Sequence, residues 1–198
     1  MIRCLITDGS AATNEARWIE HKAAWLGAGI ELMQIRERDL SARKLAELTR
    51  KVLRLPNPHG TKILINDRAD VAIACGAHGF HLRDGSVLPD VFARTGFLVS
   101  VACHSVADAG KTRGADFIIL APIFSPLSKS DAKPALGVTA IAELAAAIRT
   151  PVLALGGITA GNARLCMEAG AAGVAGISYF KSLPTDASQP SARLSSLL

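Results

Sequence analysis

The stretch Pro151-Val-Leu-Ala-Leu-Gly156-Gly157-Ile158, followed one helix later by Gly173-Val-Ala-Gly-Ile-Ser178, decides the fold. Each is a short apolar run ending in small residues, where backbone N–H groups can approach an anion. A (β/α)8 barrel builds its phosphate site in this way, from the loops after its last two strands. The pair therefore points to a barrel that takes a phosphorylated ligand.

Upstream the same unit recurs. The pattern predicts strands near Ile2–Asp8, Glu31–Arg38, Lys62–Asp67, Gly79–Arg83, Leu98–His104, Phe117–Phe124, Pro151–Gly157 and Val174–Ser178. Helical periodicity lies between them, over Asn14–Leu26, Ala42–Leu53, Val138–Ile148 and Asn162–Ala169. Trp18, His21 and Trp25 fall on one stripe of the first helix, which suits the core or an interface. Eight strands alternating with helices in 198 residues specify one α/β domain, a single (β/α)8 TIM barrel over residues 1–198. Residues after about 182 are expected to form a short terminal helix and tail. The alternative is a doubly wound open sheet, but no G-x-G-x-x-G follows the first strand. One connection is long for a barrel: 125–137, with Lys129, Asp131 and Lys133, and loops of that length are usually functional or mobile.

Composition narrows the function. Hydrophobic residues make up 49 % and charged residues 20 %, a globular balance. The net charge is +5, yet the cations are scattered and aromatics reach only 5 %, too few for base-stacking platforms, so nucleic acid is not the expected partner. No apolar run approaches the roughly 18 residues of a membrane span. With no signal peptide ahead of the first strand, a cytoplasmic protein is the expectation. Cys4, Cys75, Cys103 and Cys166 are widely spaced in apolar patterns, which predicts reduced core thiols rather than zinc ligands or disulfides.

Polar residues break the strand pattern in a consistent place. Side chains alternate across a strand, so Gln34, Arg36 and Arg38 share one face while Met33, Ile35 and Glu37 share the other. The apolar pair suits the outer helices, which turns the Gln and both Arg into the barrel or its mouth. Two guanidinium groups there call for an acidic partner, because an unpaired buried charge is expensive. Phosphate or diphosphate fits, bound bidentately by Arg, and an internal ion-pair network with Asp67 or Asp84 is the alternative. Asn66-Asp67 closes the third strand, where Asp67 is a candidate Mg2+ ligand or a helix N-cap. His81 with Arg83, and Ser100 with Ala102 and His104, share faces on neighbouring strands and offer two inward histidines. Lys129, in Ser125-Pro-Leu-Ser128-Lys129, lies on the same pole and suits a diphosphate clamp.

In order and placement these segments resemble the thiamine phosphate synthase/TenI superfamily. They are Gln34-Ile-Arg36-Glu-Arg38, Ile65-Asn-Asp-Arg68, Gly79-Phe-His-Leu82, Val101-Ala-Cys-His104, Ala121-Pro-Ile-Phe124 through Lys129, and the two Gly-rich ends. The resemblance runs from Ile2 to about Phe180. It implies a synthase that joins hydroxymethylpyrimidine diphosphate to a thiazole phosphate and releases diphosphate. Gln34, Arg36 and Asn66 would then hold the pyrimidine diphosphate, and Arg38, Ser128 and Lys129 would add contacts to its charge. Asp67 would bind Mg2+. The loops at Gly156, Gly157, Ile177 and Ser178 would seat the thiazole phosphate, and a homo-oligomer is the usual state.

The chain departs from the family pattern at four places. The usual H-x-G-Q-x-D reads His81-Leu-Arg83-Asp84-Gly85-Ser86, so Ser86 stands where a second metal carboxylate is expected and Asp84 could substitute only by a local shift. Ala102 replaces a Ser, Arg38 replaces a Lys, and P-T-x-T-K becomes the Ser125–Lys129 segment. The sister activity, a TenI-like tautomerisation of a thiazole carboxylate phosphate, needs an acid/base group. The position of the His in that subgroup is Pro122 here, which leaves His104 or His81 as base. A non-catalytic binder of thiazole or thiamine phosphate is the third reading.

Overall fold

The computed structural model describes residues 1–125 and 134–182. Eight parallel strands close into a barrel in sequence order. They are β1 (Ile2–Ile6), β2 (Leu32–Ile35), β3 (Lys62–Asn66), β4 (Gly79–Leu82), β5 (Leu98–Cys103), β6 (Phe117–Leu120), β7 (Val152–Ala154) and β8 (Gly173–Gly176). The helices are α1 (Glu15–Gly27), α2 (Ala42–Leu53), α3 (Ala69–Cys75), α4 (Gly137–Ala147), α5 (Ala163–Glu168) and α6 (Ser178–Ser182). After β4 and β5 the connections are 3-10 segments, Pro89–Phe92 and Val106–Thr112, in place of α-helices. Residues 126–133, and the tail expected after residue 182, lie outside the described residues.

Strand alternation builds two separate apolar layers. Ile2, Cys4, Ile6, Leu32, Leu64, Phe117, Ile119, Leu153 and Ala175 fill the barrel interior. Leu5, Met33, Ile35, Ile63, Ile65, Phe80 and Val101 point the other way and pack under the helices. Gln34 therefore does face inward, as its spacing predicts, with Met33 and Ile35 outward. The predicted strand to Arg38 ends earlier, however, because β2 stops at Ile35. Arg36 and Arg38 consequently belong to the loop above the strand rather than to the barrel wall.

The tryptophan stripe resolves as core: Trp18 and Trp25 are buried, and Trp25 meets Phe180 edge-on at 5.2 Å between ring centroids. Gly173 has a different role from that expected. It begins β8 at the far pole, where a Cβ would lie 2.0 Å from the Ile2 carbonyl oxygen, so it serves close strand approach and not an anion. No helix among the described residues is long and apolar enough to cross a membrane.

Candidate active site

The C-terminal ends of the strands carry a polar floor over the apolar interior. Register sets Asn66 opposite His81, and His81 opposite Ser100. Gln34, buried to 3 % exposure, donates through Nε2 to Asn66 Oδ1 at 2.8 Å. Beside this pair His81 Nδ1 lies 2.9 Å from Ser100 Oγ. Burial first, then Arg36 and His104, push the His81 pKa down to about 4, so the ring is neutral at physiological pH. A neutral His81 hydrogen-bonds without carrying charge.

Arg36 stands just above. Its backbone N–H donates to Thr7 Oγ1 at 2.8 Å, tying the β2 loop to the end of β1. Burial, and then the neighbouring Arg38, lower the pKa of its guanidinium, while Glu37 opposes them. The internal ion pair with Asp67 or Asp84 does not form, and among the described residues no carboxylate bridges Arg36.

His104 Nδ1 is 2.8 Å from the Ala121 carbonyl oxygen, which can only accept, so Nδ1 carries a proton and Nε2 is the acceptor in the neutral ring. Its backbone N–H donates to Asp108 Oδ2 at 2.8 Å. Ala102 is half-buried on the same strand.

At the β7 end Gly156 and Gly157 have φ of 99° and 61°. A Cβ on Gly156 would approach Pro122 Cα to 2.8 Å, and one on Gly157 would approach Phe124 Cβ to 2.7 Å. Packing against the β6 loop therefore requires both glycines. Among the described residues neither amide N–H donates to a protein acceptor. Ile177 is half-buried, and Ser178 is exposed at the start of α6. Ser128 and Lys129 lie outside the described residues.

Asp67 adopts a left-handed φ of 59°, a conformation that Asp tolerates better than most residues. Its N–H donates to the His81 carbonyl at 2.8 Å, and its carboxylate forms an ion pair with Arg83, Nε lying 2.9 Å from Oδ2. Ser86 Oγ is 3.5 Å from the other carboxylate oxygen. Asp84, the other carboxylate of the expected metal pair, is engaged elsewhere. Its exposed carboxylate pairs with Lys111 at 3.1 Å, and Lys111 holds it below the usual carboxylate range. The turn from Arg83 to Ser86, closed by Ser86 N donating to Arg83 O at 3.2 Å, returns Ser86 to Asp67 and leaves Asp84 outside. The donor set at Asp67 is thus one carboxylate, one hydroxyl and a bound guanidinium, which does not fit a Mg2+ ion held by two protein carboxylates. Among the described residues no group of three or more His, Cys, Asp or Glu could hold a metal.

A cavity of about 360 Å³ opens beside Asp67, with Arg38, Arg68 and Arg83 on its walls. Arg83 and Thr7 are the site residues that sequence reasoning undervalued. Thr7 was legible as a polar residue closing an apolar strand, and Arg83 as the residue two beyond His81 on the same face.

Residues 3–180 match the family described as thiamine monophosphate synthase. The chain is 40 % identical over 156 residues to the thiamine-phosphate synthase of Methanoculleus marisnigri, covering 76 % of this chain and 74 % of that one. It is 34 % identical over 179 residues to the thiamine-phosphate synthase of Methanoregula boonei, covering 88 % and 82 %. The thiamine phosphate pyrophosphorylase of Pyrococcus furiosus shares the fold, with a TM-score of 0.76 at 23 % identity over 89 % of this chain and 85 % of that one. This barrel, with its polar floor at the C-terminal ends of the strands, belongs to the thiamine monophosphate synthase family.

Proposed function

We propose that this protein makes thiamine phosphate, joining hydroxymethylpyrimidine diphosphate to thiazole phosphate with release of diphosphate. The observation that carries the reading is Arg36, a half-buried guanidinium without a carboxylate partner among the described residues, set above the Gln34–Asn66 pair. Gln34 and Asn66 offer donors and acceptors to the pyrimidine edge, and Arg36 takes the diphosphate. As the carbon–oxygen bond breaks, charge collects on the departing diphosphate, and a cation fixed beforehand stabilises it without reorganisation. The pyrimidine ring carries the positive charge until the thiazole nitrogen attacks. No enzyme nucleophile is needed, which agrees with a neutral, hydrogen-bonded His81. The amides of Gly156 and Gly157 seat the thiazole phosphate. Ser128 and Lys129 add diphosphate contacts in this reading, which for them rests on the family resemblance.

The test is formation of thiamine phosphate from the two substrates, followed as fluorescent thiochrome in parallel Mg2+ and EDTA samples. Product is expected, with kcat/KM in Arg36→Ala reduced at least about a hundredfold. No product from folded protein that binds thiazole phosphate would overturn the reading. His104 favours a second one. Its Nε2 acceptor suits a general base in thiazole tautomerisation. Aromatisation of a thiazole carboxylate phosphate, lost in His104→Ala, would establish that activity instead.

A further inference from the structure

We infer that Arg83, held on Asp67, takes the place of a divalent cation, so that this chain captures diphosphate through guanidinium groups and without Mg2+. The inference deepens the synthase reading and rests on it for the identity of the ligand.

Three observations converge. First, Asp67 is already neutralised: Arg83 Nε sits 2.9 Å from its Oδ2. A metal arriving there would have to displace that cation, with only the Ser86 hydroxyl at 3.5 Å to add to the carboxylate. Second, the contact is made through Nε, and among the described residues no hydrogen bond holds the terminal Nη groups of Arg83, whose side chain is 73 % exposed beside the cavity. That is the arrangement of a donor fork presented to a ligand, since two parallel N–H groups match phosphate oxygens. Third, guanidinium groups outnumber carboxylates on the cavity wall, with Arg38, Arg68 and Arg83 against Glu37 and Asp67. Arg68 pairs with Asp70, at 2.8 and 2.6 Å, and the Glu37 carboxylate is turned to donors from the β1 loop and α1. Arg38 and Arg83 are the guanidiniums left to face a ligand in the cavity. Guanidinium forks can hold diphosphate oxygens as a metal would, while fixing their orientation through directed hydrogen bonds.

A surface pair that merely neutralised Asp67 would contribute little and would not touch the ligand. The two roles separate by experiment. Inorganic diphosphate is titrated calorimetrically into the full-length protein, once in EDTA and once in millimolar Mg2+. Binding in EDTA is expected, with Mg2+ leaving Kd within about threefold or weakening it, because the Mg2+–diphosphate complex carries less charge. Arg83→Ala should weaken binding in EDTA about tenfold or more. Arg54→Ala, an exposed cation at the C-terminal end of α2, should leave it unchanged. Arg83→Gly with Ser86→Asp, which frees Asp67 and adds a second carboxylate, should bind diphosphate only with Mg2+.

Diphosphate binding that requires Mg2+ in the natural chain, an unaffected Arg83→Ala, or no diphosphate binding under either condition would each overturn the inference. The synthase reading is scored separately by thiochrome. Metal-free binding without product sustains the inference and removes the synthase, whereas product formed only with Mg2+ does the reverse.

Discussion

The indole N–H of Trp18 donates to Glu37 Oε1 at 3.2 Å, joining the first helix to the loop above β2. The same buried carboxylate accepts from Thr7 Oγ1 at 2.6 Å, from Ala11 N at 3.0 Å and from Gly9 N at 3.3 Å. The side chain of this residue, which directly follows Arg36, thus gathers the end of β1, the 3-10 segment Ser10–Ala12 and α1. Replacing it by Ala leaves several buried donors without an acceptor. Glu37→Ala should cost roughly 3 kcal/mol in urea unfolding, with Glu37→Gln losing about half as much because one acceptor oxygen survives. Because the loop carries Arg36, kcat/KM should fall in Glu37→Ala even at temperatures where the protein is folded.

His81 makes stability depend on pH in a stated direction. Its pKa drops from 6.5 to about 4 on folding. Between those values the unfolded chain binds a proton that the folded chain refuses, so the contribution is complete above 6.5 and is lost as pH falls toward 4. From pH 7 to pH 5 the loss should be roughly 2 kcal/mol. His81→Gln, which can still hydrogen-bond Ser100, should flatten that slope in denaturant titrations at the two pH values.

Gly157 tests the loop geometry. An Ala there must hold φ near 61° and place its Cβ 2.7 Å from Phe124 Cβ and 2.8 Å from the Ser125 carbonyl oxygen. Gly157→Ala should destabilise by about 2 kcal/mol and displace the β6 loop. In the synthase assay KM for thiazole phosphate should rise more than kcat falls, because the proposed function uses this loop for binding.

The opposite pole supplies the converse case. Glu31 accepts from Arg3 N at 2.8 Å and pairs with its guanidinium at 3.1 Å, and Arg3 also donates to the Gly29 carbonyl at 2.7 Å. The pair is nearly buried, so Glu31→Ala should cost about 3 kcal/mol by leaving Arg3 uncompensated. Turnover at permissive temperature should be unaffected, because these residues sit at the N-terminal ends of the strands.

What the chain's order of residues determined was the barrel and the direction of its side chains. Period-two alternation put Gln34 inside and Met33 with Ile35 outside, because pleat geometry depends only on position along a strand. It also placed the polar residues together at the strand ends, since in a parallel barrel all those ends lie at one pole. Tertiary structure decided how they are used. Gly156 and Gly157 read as a phosphate turn, and packing against Pro122 and Phe124 adds a second requirement that arises only when β6 and β7 are neighbours. Whether Asp84 or Ser86 meets Asp67 depends on the hand and tightness of one turn, which composition does not encode. Glu37 was legible as outward-facing, but its four donors come from three separate segments, and only the closed fold assembles them. Local spacing specifies a face, whereas the partner across that face is set by contacts distant in the chain.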